Sequence, residues 1–235
     1  LQVVHPPGAP LFLLIGRLFA AVADLFSDNP EHIAFAVNLM SGLATAFAAM
    51  FISWTTIMLG KLALVGREGT TSDTENLVLG GAGLVAGLSM AFSTSIWFSA
   101  VEGEVYAMST FFTAMTLWSM VKWYSLPDSA QHDKWILFTV YSAGLSMGVH
   151  LLSLLTFPAL AIFYYFKKFK KHDFKGVVIA SAAGVGVLLF VQLVVIIGIP
   201  KVWSFFELVT VNGLGLPFNS GLVPTVILIG GSLVA

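Results

Sequence analysis

The chain has 235 residues, of which 57% are hydrophobic and 10% charged, and its mean hydropathy is +0.91. A soluble domain carries about 25% charged residues, so this composition places the chain among polytopic membrane proteins. A net charge of −1 offers no basic surface to nucleic acid, and the lack of cysteine excludes disulfides and thiolate metal sites.

The chain opens at Leu1 without a basic leader or cleavage site, and it stops at Ala235 inside an apolar run. It reads as a piece of a longer protein, with residues 1–235 forming part of one membrane domain and segments missing upstream and downstream. The first element is Leu11 to Phe26. It is too short for the roughly 20 apolar residues of a span, and Arg17 interrupts it, so an amphipathic helix lying in the interface is expected. Ser27, Asp28, Asn29 and Pro30 then form a turn cluster. A long span is predicted from about His32 to Leu59, a second over Leu77–Phe98 and a third over Val105–Tyr124, with Lys61–Asn76 a polar connection.

Ser125 to Lys134 is a polar turn. Trp135 to Phe166 is 32 residues of mostly apolar sequence, too long for one ordinary span, and is predicted as two short helices meeting near His150 and Pro158. Lys167 to Lys175 is strongly basic. Gly176 to Ile199 is another span, Pro200 to Leu222 a loop, and a last span starts near Pro224. The fold class is therefore an all-α polytopic membrane bundle.

The basic segment sets the orientation, because Lys and Arg accumulate on the cytoplasmic side. If Trp135–Phe166 crosses twice, Lys61–Asn76 and Ser125–Lys134 join it there. The opposite face then collects His5, Asp24, Asp28, Glu31, His32, Glu102, Glu104, His150 and the 200–222 loop.

Four stretches on that face carry candidate chemistry. In His5-Pro6-Pro7-Gly8 the prolines fix φ and suit a first helical turn, and they also stiffen the chain that presents His5. Glu102 and Glu104 lie in "WFSAVEGEVYAMST". Acids beside a membrane segment are costly, yet a helix N-terminus stabilises a carboxylate, so a capping role stands beside a catalytic one. In "GLSMGVHLLSLLTFPA" the spacing of Gly144 and Gly148 favours close helix contact, and His150 follows deep in the apolar run. "FFELVTVNGLGLPFNSG" contains Glu207, Asn212 and Asn219 and reads either as a surface loop or as a cover over a site. Arg17 and Lys201 are the basic residues of this face besides histidine. Either could bind a phosphate, and Arg17 could equally snorkel. The usual phosphate-loop, zinc-protease, nucleophile-elbow and Cys/His metal motifs are absent from the sequence.

These four stretches, the first extended to "VVHPPGAPLFLLIGRLF", resemble a bacterial multi-pass membrane family of unknown function, common in Bacteroidetes, that has a eukaryotic O-mannosyltransferase relative. The similarity runs in order along nearly the whole chain. The resemblance implies a GT-C-type glycosyltransferase bundle in a bacterial inner membrane, with its site facing the periplasm. It implies a polyprenyl-phosphate sugar as donor, a hexose such as mannose as the group moved, and the Ser or Thr hydroxyl of an exported protein as acceptor. It makes His5, Glu102 and Glu104 the catalytic candidates, with the main base expected upstream of Leu1. Arg17, His150, Lys201, Asn212 and Asn219 become candidates for donor phosphate or substrate. No metal ligand is assigned, although the resemblance leaves room for a divalent cation. The partners implied are membrane lipid, the lipid-linked donor and the exported acceptor. A membrane transporter is the alternative, since it would also place acids and glycine-broken helices in the bilayer. A lipid-binding scaffold is a third reading.

Overall fold

The computed structural model describes residues 8–26 and 29–234. The described residues form an all-α membrane helical bundle with no strand among them. They fall into two compact units, Leu1–Ser181 and Ala182–Ala235.

The first unit is built around α2 (Pro30–Val65), which packs against α1 (Pro10–Asp24), α3 (Asp73–Ala91), α4 (Thr94–Val101) and α5 (Val105–Ser125). Sequence explains both ends of α2. The Asn29 side chain accepts the Glu31 N–H at 3.0 Å with Pro30 in the first turn, and Gly66, at φ 72°, ends it. Met40, Ala44, Ala48 and Phe51 fall on one stripe of α2 and meet Ala107, Met108, Phe112 and Met115 of α5. Phe51 lies 4.9 Å from Trp118 and 5.7 Å from Trp54, ring centre to ring centre. Lipid tails are as apolar as these side chains, so shape and small residues hold such helices together more than burial does. The seams agree: Ser41, Ser109, Thr116, Ser119, Ser142, Ser146 and Ser153 are all buried. Ser119 Oγ and Thr139 Oγ1 share a hydrogen bond of 2.9 Å between α5 and α6 (Lys134–Met147).

Two glycines of α3 allow a close contact with α2. A Cβ on Gly83 would fall 2.5 Å from Ile57 Cγ1, and one on Gly87 would fall 3.2 Å from the Ala49 carbonyl. The Gly144–Gly148 pair does not behave as its spacing suggests. Gly148 packs on α1, where a Cβ would be 3.0 Å from Leu11 Cβ, but nothing lies within 4 Å of a Cβ on Gly144.

Several predicted boundaries move. The polar connection after α2 shrinks to residues 66–72. Its sequence holds a capping box, with the Ser72 hydroxyl accepting the Glu75 N–H and the Glu75 carboxylate accepting the Ser72 N–H. The second span is broken: α3 and α4 meet at 62° around Phe92 and Ser93, where Ser93 Oγ donates to the Met90 carbonyl at 3.0 Å and competes with helix continuation. The 135–166 region does divide at His150, into α6, a 3₁₀ stretch (Leu151–Thr156) and α7 (Phe157–Lys168), with Pro158 in the first turn of α7.

The expected 200–222 loop is mostly helix. From α8 (Phe174–Phe190) the chain winds through a π-helical stretch (Val191–Gly198) into α9 (Ile199–Glu207) and a second π stretch (Leu208–Gly213). Pro200, where the expected loop begins, lacks an N–H and would ordinarily break a helix. It is accommodated because the helix widens just before it, with the Ile199 N–H reaching back five residues to Val194. A turn at residues 214–221 leads into α10 (Leu222–Val234). Among the described residues, Pro30–Val65, Leu151–Lys168 and Phe174–Gly213 are long and apolar enough to cross a membrane, and α3 with α4 could form a bent fourth crossing.

Candidate functional site

The first unit has two chemically different ends. One gathers the start of α1, the first turns of α2, the α4–α5 junction and the break at His150. Four contacts define it. The Leu11 N–H donates to the Gly148 carbonyl at 2.7 Å. A Cβ on Gly103 would sit 3.1 Å from Val37 Cγ1 and 3.3 Å from Asn38 Oδ1, so the Glu102-Gly103-Glu104 turn lies directly on α2. Tyr106, in the first turn of α5, places its ring centre 5.4 Å from that of His150. His150 Nδ1 accepts the Leu152 N–H at 3.1 Å and caps the 3₁₀ stretch.

Glu102 ends α4 and Glu104 starts α5, both in extended backbone. They are therefore not two positions of one continuous helix. Neither caps α5 with its side chain, and among the described residues neither carboxylate makes a hydrogen bond or ion pair. Both are exposed. The capping role is thus unfilled, and two unneutralised carboxylates remain beside a Tyr–His pair. An acid in this position can accept a proton from a hydroxyl, and His150 and Tyr106 can donate to an oxyanion.

Next to them lies a cavity of about 270 Å³. It is lined by Ser109, Thr110 and Thr113 of α5 and by Leu152, Leu155 and Thr156. Ser109 is 1% exposed, and its Oγ has no hydrogen-bond partner. A buried hydroxyl without a partner is costly, and Thr110 and Thr113 add hydroxyl-bearing residues of the same helix to this wall. Sequence reasoning passed over Asn38, Tyr106 and these hydroxyls. The signal for the last was present, because Ser109, Thr110 and Thr113 share one side of α5 at helical spacing.

The other candidates are distributed differently. His5 lies outside the described residues. Arg17 is exposed on α1, six residues or about 9 Å along the helix from Leu11. Lys201, Asn212 and Asn219 belong to the second unit and are exposed there. Glu207 has a structural task in that unit. Its Oε1 accepts the Asn219 N–H at 2.6 Å and its Oε2 the Gly221 N–H at 2.9 Å, which closes the 214–221 turn. Asn219 adopts φ 71°, a left-handed conformation that asparagine tolerates. Among the described residues no three of His, Asp and Glu are grouped to hold a metal ion.

Fold and site together define an all-helical integral membrane protein with a carboxylate-, tyrosine- and histidine-bearing end. The chain belongs to the family of the protein O-mannosyl-transferase TMEM260 N-terminal domain, which matches residues 1–173. It is 28% identical over 123 residues to the Dictyostelium discoideum protein O-mannosyl-transferase tmem260, a match covering 52% of this chain and 12% of that protein. It is 26% identical over 147 residues to the Mus musculus protein O-mannosyl-transferase TMEM260, covering 63% of this chain and 18% of that protein. The chain thus matches less than a fifth of the length of either relative. No solved structure matches it.

Proposed function

We propose that this chain forms part of a membrane glycosyltransferase of the GT-C type. It moves a hexose such as mannose from a polyprenyl-phosphate donor to a Ser or Thr hydroxyl of an exported protein. The placement in a bacterial inner membrane, with the reacting end towards the periplasm, belongs to the same proposal. The observation that carries it is the meeting of Glu102, Glu104, Tyr106 and His150 at one end of a chain whose family is named for O-mannosyl transfer.

In this reading a carboxylate takes the proton of the acceptor hydroxyl while that oxygen bonds to the anomeric carbon. The bond from that carbon to the lipid phosphate breaks, and the phosphate leaves with the electron pair. The main base is proposed to lie upstream of Leu1, and Glu102 and Glu104 are the carboxylates of this chain proposed to assist the proton transfer. His150, Tyr106 and His5 are the donors proposed for the departing phosphate. The hydroxyl-lined cavity beside Tyr106 would hold part of the sugar or of the acceptor. Arg17, Lys201, Asn212 and Asn219 remain proposed substrate contacts. A divalent ion is an added part of this proposal, with no ligand set assigned to it.

The test is sugar transfer by the full-length protein in liposomes that contain polyprenyl-phosphate mannose and a Ser/Thr peptide. General-base help is worth about 10² to 10⁴ in rate, so Glu102→Gln and Glu104→Gln, as assisting carboxylates, should each lower transfer by up to that factor at unchanged thermal stability. His5→Ala should also slow transfer. Wild-type rates in all three variants would overturn the assignment, as would substrate counterflow with no donor consumed.

A further inference from the structure

The opposite end of the first unit carries a site that the transfer reaction does not use. A cavity of about 240 Å³ opens between the end of α2 and the end of α5, with Lys61, Arg67 and Lys122 in its lining and Met58, Leu62 and Ser125 beside them. Three cations line it and no carboxylate does. Arg67 is fixed in place: its Nη2 donates to the Leu126 carbonyl at 2.7 Å, and its guanidinium carbon lies 5.4 Å from the centre of the Tyr124 ring. Its Nε is buried without a partner. The side chains of Lys61 and Lys122 make no hydrogen bond or ion pair among the described residues.

A simpler account covers part of this. Cations suit helix C-terminal ends, and Lys122 lies in the last turn of α5. Lys167 shows that arrangement fulfilled, since its Nζ donates to the Trp123 carbonyl and, at 3.1 Å, to the Leu126 carbonyl. That brings a fourth cation onto the same carbonyl as Arg67. The carboxylates of this end do not balance the charge. Asp128 pairs with Lys168 at 3.1 Å, Asp133 accepts Trp123 Nε1 at 3.2 Å, and Glu75 is committed to Ser72. Glu68 and Asp73 form no ion pair with a described cation. The helix dipole explains why cations stand here. It does not explain a cavity whose lining holds three cations and no carboxylate.

We propose that this cavity binds one phosphate-bearing anion. Arg and Lys together match a phosphate group, and the Met58–Leu62 side offers an apolar shelf for whatever the phosphate carries. Two sources share this chemistry: the headgroup of an anionic phospholipid, or a free phosphate. Geometry suits the first. With α2 centred in the bilayer, Lys61 lies about 20 Å from the midplane, which is the headgroup layer. The cavity has the volume of about eight water molecules, room for a headgroup with the acyl chains left in the bilayer.

The experiment uses the detergent-solubilised full-length protein, with native mass spectrometry and thermal unfolding as readouts. It is titrated with phosphatidylglycerol, with phosphatidylcholine and with inorganic phosphate. One retained phosphatidylglycerol and a raised Tm, with no response to phosphatidylcholine, is expected. Lys61→Gln/Lys122→Gln alters two side chains that hold no partner, so the fold survives. It should weaken retention about 30-fold, each lysine near a lipid surface contributing about fivefold. Lys61→Arg/Lys122→Arg should restore it. A Tm response to inorganic phosphate alone, lost in the Gln pair, also supports the site and assigns it to a soluble anion. The proposal fails if neither anion is retained. It fails equally if Lys170→Gln/Lys171→Gln, which alters surface charge outside the cavity, weakens retention as much as the Gln pair.

Discussion

The Leu11 N–H donates to the Gly148 carbonyl at 2.7 Å, which pins the first turn of α1 to the break that presents His150. Because that contact needs a residue without a side chain at 148, the two glycines of this region should respond oppositely to gaining a side chain. Gly148→Leu should displace α1 and lower both thermal stability and sugar transfer, since even a Cβ would stand 3.0 Å from Leu11 Cβ. Gly144→Ala meets nothing within 4 Å inside α6 and should stabilise by about 0.5–1 kcal/mol. Melting curves of the two variants decide this.

His150 has two separable roles. As a cap it accepts the Leu152 N–H, and losing a cap costs about 0.5–2 kcal/mol. As a ring it meets Tyr106. His150→Ala should lose both. His150→Asn keeps a capping oxygen, so it should recover stability but not transfer. Recovery of transfer by Asn would reduce His150 to a structural residue.

Glu207 should matter to the turn it closes and not to the reaction. Hydrogen bonds to a charged group are worth about 1.5–3 kcal/mol. Glu207→Ala should therefore speed hydrogen exchange at Asn219 and Gly221 and open the 214–221 segment to protease. Asn219→Gly, which accepts the φ of 71°, should be tolerated where Asn219→Val is not. Unchanged exchange in Glu207→Ala would show that the carboxylate contacts contribute nothing.

The hydrogen bond from Lys168 holds the Asp128 carboxyl below its ordinary value of 3.8. A lowered folded-state value means that the pair stabilises the protein above that pH and ceases to do so as pH falls through the lowered value. Asp128→Asn should thus cost a little stability at pH 7, small because the pair is exposed, and nothing in strong acid. A Tm difference between the two proteins that persisted at pH 2 would contradict this.

The sequence shows the helical class, the division at His150 and the shared end of Glu104 and His150 because composition and polarity alternate on the scale of whole spans. It hides features set by one or two hydrogen bonds. Ser93 bends a helix at Met90, and a π winding before Pro200 removes a break that proline normally makes. Neither leaves a trace in hydropathy. The Gly83–Gly87 contact was legible in the same small-residue spacing as Gly144–Gly148. The sequence does not say which of the two pairs meets a neighbour; the partner positions Ile57 and Ala49 decide it. Tyr106 was read only as neighbouring sequence to the acids, since its value comes from a ring 44 positions away.

The run from Phe174 to Gly213 is 40 residues of continuous winding, about 60 Å at ordinary helical rise. The hydrocarbon layer is only about 30 Å thick, so a membrane cannot enclose the run upright. Part of it must lean, bend or lie along the surface, and the amphipathic α9 with its exposed Lys201 is built for that end. How far α9 rests on the surface then depends on the thickness of the lipid around it. In a thinner bilayer more of the run emerges, in a thicker one less, and the 214–221 turn moves with it. Hydrophobic mismatch thereby becomes a variable that this segment reports.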